Sequence, residues 1–137
     1  MNVLITGGSG FIGKNLKATI AECKNLNLIS ISYKLTSDEI FQKIRESDFI
    51  IHLAGVNRSK NDDDFYKGNV LITRKICDAI VRNFKENGKA IPIIFTSSIH
   101  SNQDNPYGKS KAEAEKILLD INKKFNIPIF IFRLPNV

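Results

Sequence analysis

The chain has 137 residues, 42% hydrophobic and 25% charged, with a formal net charge of +6. That is one domain, able to bury roughly two-thirds of its unfolded surface in a single core. No apolar run approaches the ~20 residues of a membrane helix, and no basic leader precedes the first strand-like run, so a cytoplasmic protein without a membrane partner is expected.

Short β-branched runs alternate with longer amphipathic ones. Strands are predicted over residues 2–6, 26–32, 49–53, 91–96 and 128–133. Most are nearly continuous in apolar residues, as in strands buried on both faces of a parallel sheet. Helices are predicted over residues 11–23, 38–45, 65–87 and 107–125. Thr36 and Glu39 have capping-box spacing, Asn105 precedes a proline at a helix start, and Gly88 and Asn126 suit left-handed C-terminal caps. The order βαβαβαβαβ predicts an α/β fold: a Rossmann-like, doubly wound parallel sheet with helices on both faces and right-handed crossovers. About fifteen residues join the second strand to the third, so the strand that often lies there is expected to be missing.

The first strand runs into Thr6-Gly7-Gly8-Ser9-Gly10-Phe11-Ile12-Gly13. In a strand–turn–helix context this spacing points to a dinucleotide site. Gly7 permits the tight turn, Gly10 the approach of a pyrophosphate, and Gly13 close helix packing. The helix start at Phe11 and Ile12 offers free N–H groups to the phosphates. Residues 28–34 contain no Asp or Glu, the usual ribose ligands of NAD sites, but do contain Ser32 and Lys34. This favours NADP(H) over NAD(H), with Lys34 receiving the 2′-phosphate; the alternative is a solvated loop lysine.

His52-Leu53-Ala54-Gly55 closes the third strand. Leu53, Ala54 and Gly55 lie at the carboxyl edge, where cofactors sit, while His52, inside an apolar run, reads as a core histidine. Asp62, Asp63 and Asp64 suit the first turn of the next helix better than a metal site, and no metal is expected. Cys23 and Cys77 lack metal or redox spacing and are expected to be buried, reduced thiols. The Lys and Arg excess is scattered from Lys14 to Lys109, which suits a phosphate-rich cofactor and substrate and argues against nucleic acid.

The densest chemical signal is Thr96-Ser97-Ser98 followed by Tyr107-Gly108-Lys109-Ser110-Lys111. Tyr107 and Lys111 are four apart and share a helix face. A free tyrosine, with its pKa of ~10, is a poor acid–base catalyst at neutral pH, and an adjacent ammonium favours its phenolate. A serine hydroxyl from the neighbouring strand end can reach the same carbonyl oxygen.

Together TGGSGFIG, IHLAG, Gly68-Asn69-Val70, the paired serines, PYGKSK and RLPNV resemble the extended short-chain dehydrogenase/reductases, in particular the epimerase/dehydratase group that acts on nucleotide sugars. HLAGVNR, QDNPYGKSK and RLPNV look closest to the CapF-type capsular-polysaccharide reductases, which reduce a UDP-2-acetamido-2,6-dideoxy-hexos-4-ulose with NADPH. The resemblance implies Tyr107 as general acid–base, Lys111 as its activator and ribose ligand, and Ser98 as the hydroxyl orienting the carbonyl, with Ser97 the fallback. It implies that Asn69 supports the active-site helix, that Pro135-Asn136 starts the loop beside the nicotinamide, and that a homodimer pairs through helices including that of Tyr107. The group also contains NAD-dependent 4-epimerases and 4,6-dehydratases, and the fold also serves non-catalytic dinucleotide-binding modules. Members continue well past the point matching Val137 into a substrate domain, and CapF-type proteins add a cupin domain. Residues 1–137 are therefore expected to be an incomplete NAD(P)-binding domain, inactive alone.

Overall fold

The β-branched runs pair into one sheet because each can bury apolar side chains on both faces. In the computed structural model, which describes residues 1–135, the strands are β1 (Asn2–Thr6), β2 (Asn27–Ile31), β3 (Phe49–His52), β4 (Ile93–Ser98) and β5 (Ile129–Leu134). All pairings are parallel and the spatial order is β2-β1-β3-β4-β5. Val3 on β1 stands beside Leu28 on one side and Phe49 on the other. The winding therefore reverses between β1 and β3, and this switch point opens a crevice at the strands' carboxyl ends.

The helices are α1 (Phe11–Ala21), α2 (Ser37–Arg45), α3 (Asp62–Phe65), α4 (Ile72–Asn87) and α5 (Pro106–Phe125). A π-helical turn, Tyr66–Leu71, joins α3 to α4, and a 3₁₀ turn, Ile99–Asn102, follows β4. Alternation along β1 divides the core. Leu4 joins Ile40, Ile44, Ile76, Ile80 and Leu118 under α2, α4 and α5, whereas Val3 and Ile5 join Ile20 under α1. Only α2 connects β2 to β3, so β2 is the sheet edge, as expected from the short connection.

The caps match the sequence signals. Glu39 N donates to Thr36 Oγ1 at 3.3 Å while Glu39 Oε2 accepts from Thr36 N at 2.8 Å. Asn105 Oδ1 accepts from Gly108 N at 2.7 Å, and Gly88 and Asn126 have φ of 68° and 53°.

Three expectations are corrected. The predicted strand 91–96 is shifted to Ile93–Ser98. Pro92 has no N–H for the ladder, and pairing of Ser97 with Arg133 and Ser98 with Leu134 carries the strand onward. The helix predicted from residue 65 begins at Asp62 and includes the π-turn. Cys23, expected to be buried, is exposed because α1 ends at Ala21; Cys77 is buried, which pushes its thiol up to about 12. Both cysteines are free thiols.

Candidate functional site

The glycine turn folds back on the end of β3. Gly7 adopts φ +70°, and a Cβ there would lie 2.6 Å from Ala54 N. A Cβ on Gly13 would lie 2.3 Å from the Gly7 carbonyl oxygen, so α1 sits directly on the turn. Gly10 is the N-cap of α1 and no side chain caps that end. A Cβ on Gly10 would meet only Gly7 O, at 3.4 Å. The helix start thus presents its first N–H groups to open space bordered by glycine, a cradle that fits a pyrophosphate.

That cradle is one wall of a cleft of about 930 Å³, a volume suited to a cofactor with substrate. Gly7, Gly10, Phe11, Ile12 and Gly13 line one side, and Leu53 and Gly55 the floor. Ser98, Tyr107 and Lys111 line the far side. Among the described residues, Arg58 and Lys111 line the cleft and no Asp or Glu does, so its field favours anions.

Tyr107 and Lys111 stand in the first turns of α5, whose start rests on the 3₁₀ turn. A Cβ on Gly108 would lie 2.5 Å from the Gln103 and His100 carbonyl oxygens. The Tyr107 ring meets the Phe65 ring edge-on, with centroids 5.8 Å apart. Lys111 is buried, lies over the Phe95 ring and donates to the Thr96 carbonyl at 3.0 Å. Burial pushes its ammonium down to about 8, against the pull of Glu115.

The two serines differ. Ser97 Oγ donates its hydrogen to Glu115 Oε1 at 2.5 Å. Ser98 Oγ accepts from His100 N at 3.1 Å, which leaves its own hydrogen to donate. Glu115 is further held by Arg133 through Nε at 3.0 Å and Nη2 at 2.7 Å. Burial alone would push the Glu115 carboxyl up, but the bonds from Arg133, Ser97 and Ser101 and the Arg133 charge hold it below its ordinary value.

His52 is a core residue, as the apolar run implied. It is fully buried, and burial together with the Lys111 charge pushes its imidazole down to about 3. The unfolded chain therefore binds the proton first as pH falls, so the stability of the neutral ring is complete above about 6.5 and is lost towards 3. Relative to neutral pH the expected loss at pH 5 is about 2 kcal/mol. Urea unfolding at both pH values should show this loss reduced in His52→Gln; an equal loss in both proteins contradicts it.

Two expected site residues lie elsewhere. Lys34 follows β2, is exposed and does not line the cleft. Ala54 contributes its N–H, which is donated to Thr6 Oγ1 at 3.0 Å. Gly55 lines the cleft, yet a Cβ on it would strike Asn69 Oδ1 at 2.7 Å and Lys111 Nζ at 3.3 Å. The side chains packed over it, and not only a ligand, require glycine there. Pro135 lines the cleft, while Asn136 lies outside the described residues. Asp62, Asp63 and Asp64 occupy the first turn of α3, and Asp64 accepts from Ser59 Oγ at 2.6 Å.

Sequence reasoning missed Glu115, Arg133 and Arg58. Each left a signal: Arg58 ends HLAGVNR, Arg133 opens RLPNV, and Glu115 stands four residues beyond Lys111, continuing the Tyr107–Lys111 helix face.

Comparison with known proteins places this geometry. The model of the NAD dependent epimerase/dehydratase family matches residues 3–137. The chain is 42% identical over all its 137 residues to a UDP-2-acetamido-2,6-beta-L-arabino-hexul-4-ose reductase of Pseudomonas aeruginosa, of which it covers 36%. The capsular polysaccharide assembling protein CapF from Staphylococcus aureus superposes with a TM-score of 0.81 at 38% identity, over 99% of this chain and 36% of that one. A UDP-glucuronic acid 4-epimerase from Bacillus cereus shares the fold, with a TM-score of 0.83 at 20% identity over 99% of this chain and 57% of that one. The chain thus spans about a third of the length of the two more similar proteins. With the family model matched over nearly its whole length, the chain belongs to the NAD dependent epimerase/dehydratase family.

Proposed function

We propose that the chain is the cofactor-binding part of an NADPH-dependent reductase of 4-keto nucleotide sugars, of the UDP-2-acetamido-2,6-dideoxy-hexos-4-ulose type, serving surface polysaccharide synthesis. The observation that carries this reading is that Ser98, Tyr107 and Lys111 line the same cleft as the glycine turn, with the Ser98 hydroxyl hydrogen uncommitted among the described residues. The identity to a hexul-4-ose reductase supports the substrate class.

When bound, the dihydronicotinamide supplies the hydride that reduces the ketone carbon. The protein's part is the proton. Ser98 donates a hydrogen bond to the ketone oxygen, and Tyr107 gives that oxygen its phenolic hydrogen, completing the alcohol. The buried Lys111 ammonium compensates the phenolate left behind. Among the described residues the cleft lining carries no carboxylate to repel the cofactor phosphates.

The choice of NADPH is supported by the end of β2, where Ser32 and Lys34 are exposed and no acidic residue stands in 28–34. A charge-assisted contact from Lys34 to the 2′-phosphate is worth ~1.5–3 kcal/mol, or about 10- to 100-fold in affinity. Calorimetry should show NADPH binding tighter than NADH by that factor, with the preference lost in Lys34→Asp. Equal affinities for the two cofactors in the unaltered protein would refute the preference. An NAD-retaining 4-epimerase or 4,6-dehydratase is the second reading, favoured by the family's NAD dependence. It predicts one NAD released per chain on denaturing the purified protein. The test of the first reading is NADPH consumption driven by a UDP-linked 4-keto sugar.

A further inference from the structure

A directional chain of hydrogen bonds runs beneath the cleft through His52. Thr73 Oγ1 lies 2.7 Å from the Asn69 carbonyl oxygen. A carbonyl only accepts, so the Thr73 hydroxyl hydrogen points at it. Thr73 Oγ1 also lies 2.9 Å from His52 Nε2. With its hydrogen already used, the hydroxyl accepts there, and Nε2 carries the ring proton. On the other side, Thr6 Oγ1 accepts the Ala54 N–H at 3.0 Å and stands 2.7 Å from His52 Nδ1. A neutral ring protonated at Nε2 has a bare Nδ1, which takes the Thr6 hydrogen. Every hydroxyl in the chain both accepts and donates, so the ring has one orientation and one tautomer.

The ends of this chain reach both halves of the cleft. At one end it holds the Ala54 N–H, the group against which Gly7 packs. At the other it holds Asn69 in the π-helical turn. The Asn69 side chain accepts from Val56 N at 2.8 Å and donates to Val56 O at 2.9 Å. It donates also to Ser110 Oγ at 2.9 Å, and Ser110 donates to the Tyr107 carbonyl at 2.7 Å. The route from the cofactor turn to the Tyr107 backbone is thus unbroken, and the His52 ring bridges the strand half to the helix half.

We propose that His52 is a positioning residue: through Thr6 and Thr73 it holds the glycine turn and the start of α5 in fixed relation, so that loss of its bonds lowers turnover through Tyr107 without a matching loss of cofactor affinity. This rests on the reading of Tyr107 as the proton donor, and the tests separate the two.

Nitrogen NMR of the labelled intact protein at neutral pH should show His52 as a neutral ring protonated at Nε2; an Nδ1–H ring or an imidazolium overturns the proposal. In the intact enzyme, His52→Gln and Thr73→Val should each lower kcat by about 10- to 100-fold, the size expected of a small misplacement at the reacting groups. KM for NADPH should stay within about threefold, and Thr73→Ser, which keeps the hydroxyl, should recover most of the rate. In a Tyr107→Phe background Thr73→Val should cost nothing further. If Tyr107→Phe is inactive while Thr73→Val turns over normally, or if Thr73→Val loses cofactor affinity as fast as kcat, the role of His52 is refuted. Normal turnover of Tyr107→Phe by itself refutes instead the assignment of Tyr107.

Discussion

Tyr107→Phe in the intact enzyme is expected to lower turnover by about 10²–10⁴-fold, the range for removal of a positioned general acid, while NADPH affinity stays within about twofold. The split follows from what the side chain touches. Its ring is held edge-on by Phe65, and the start of α5 is held by Asn105 and by Gly108 on the 3₁₀ turn. None of these uses the phenolic hydroxyl. Among the described residues the hydroxyl forms no hydrogen bond, so its removal leaves the fold and the glycine cradle unaltered. The loss falls on proton transfer, because Ser98 can polarise the ketone but its aliphatic hydroxyl is a far weaker acid than a phenol. Steady-state kinetics with a 4-keto nucleotide sugar, set beside calorimetry of NADPH, measures both halves. Near-normal turnover would remove Tyr107 from the reaction.

Most of the fold was legible because its signals are local. The Thr36–Glu39 box, the proline after Asn105 and the left-handed residues Gly88 and Asn126 act within one helical turn, and each marks a helix end within a residue or two. What escaped depends on distant partners. Ser97 and Ser98 have little strand preference and become strand only through pairing with Arg133 and Leu134. The π-turn at Tyr66–Leu71 has no composition of its own. Cys23 was misread as buried because its residue type usually is, although helix α1 ends two residues before it.

The site divides in the same way. Gly7, Gly10 and Gly13 could be read from spacing because one turn uses all three, and Tyr107 with Lys111 because they share a helix face. The choice between Ser98 and Ser97 could not be made on chemistry from residues that differ only in position. What separates them in the fold is Glu115 and Arg133, eighteen residues apart, whose ion pair takes the Ser97 hydrogen and leaves that of Ser98. The requirement for glycine at position 55 likewise comes from Asn69 and Lys111, which only the folded chain brings there.

Gly13→Ala and Gly10→Ala should fail in different ways, and the contrast tests whether the glycine turn is a ligand cradle or only a tight bend. An alanine Cβ at position 13 would stand 2.3 Å from Gly7 O and 2.6 Å from Gly8 Cα, both backbone atoms. The turn must open to admit it. Gly7 cannot readily yield, since it packs at φ +70° against the Leu53–Ala54 peptide. Overpacking of this kind costs ~1–3 kcal/mol, and a domain of this size should melt some 3–10 °C lower. NADPH binding should fall with it, because α1 is displaced from the turn. At position 10 the added Cβ has one neighbour, Gly7 O at 3.4 Å, and the backbone is in the ordinary extended region at φ −73°. Stability should hold or rise slightly, by up to ~1 kcal/mol, as the unfolded chain loses freedom. The methyl group borders the space in front of the helix N-terminus, where a pyrophosphate must approach the backbone N–H groups. Affinity for NADPH should therefore drop at least ~10-fold with the melting temperature unchanged or higher, the loss of about one charge-assisted hydrogen bond. Thermal melts and calorimetry on the two variants settle the matter. Unchanged NADPH affinity in Gly10→Ala would mean that the phosphates do not rest on this turn.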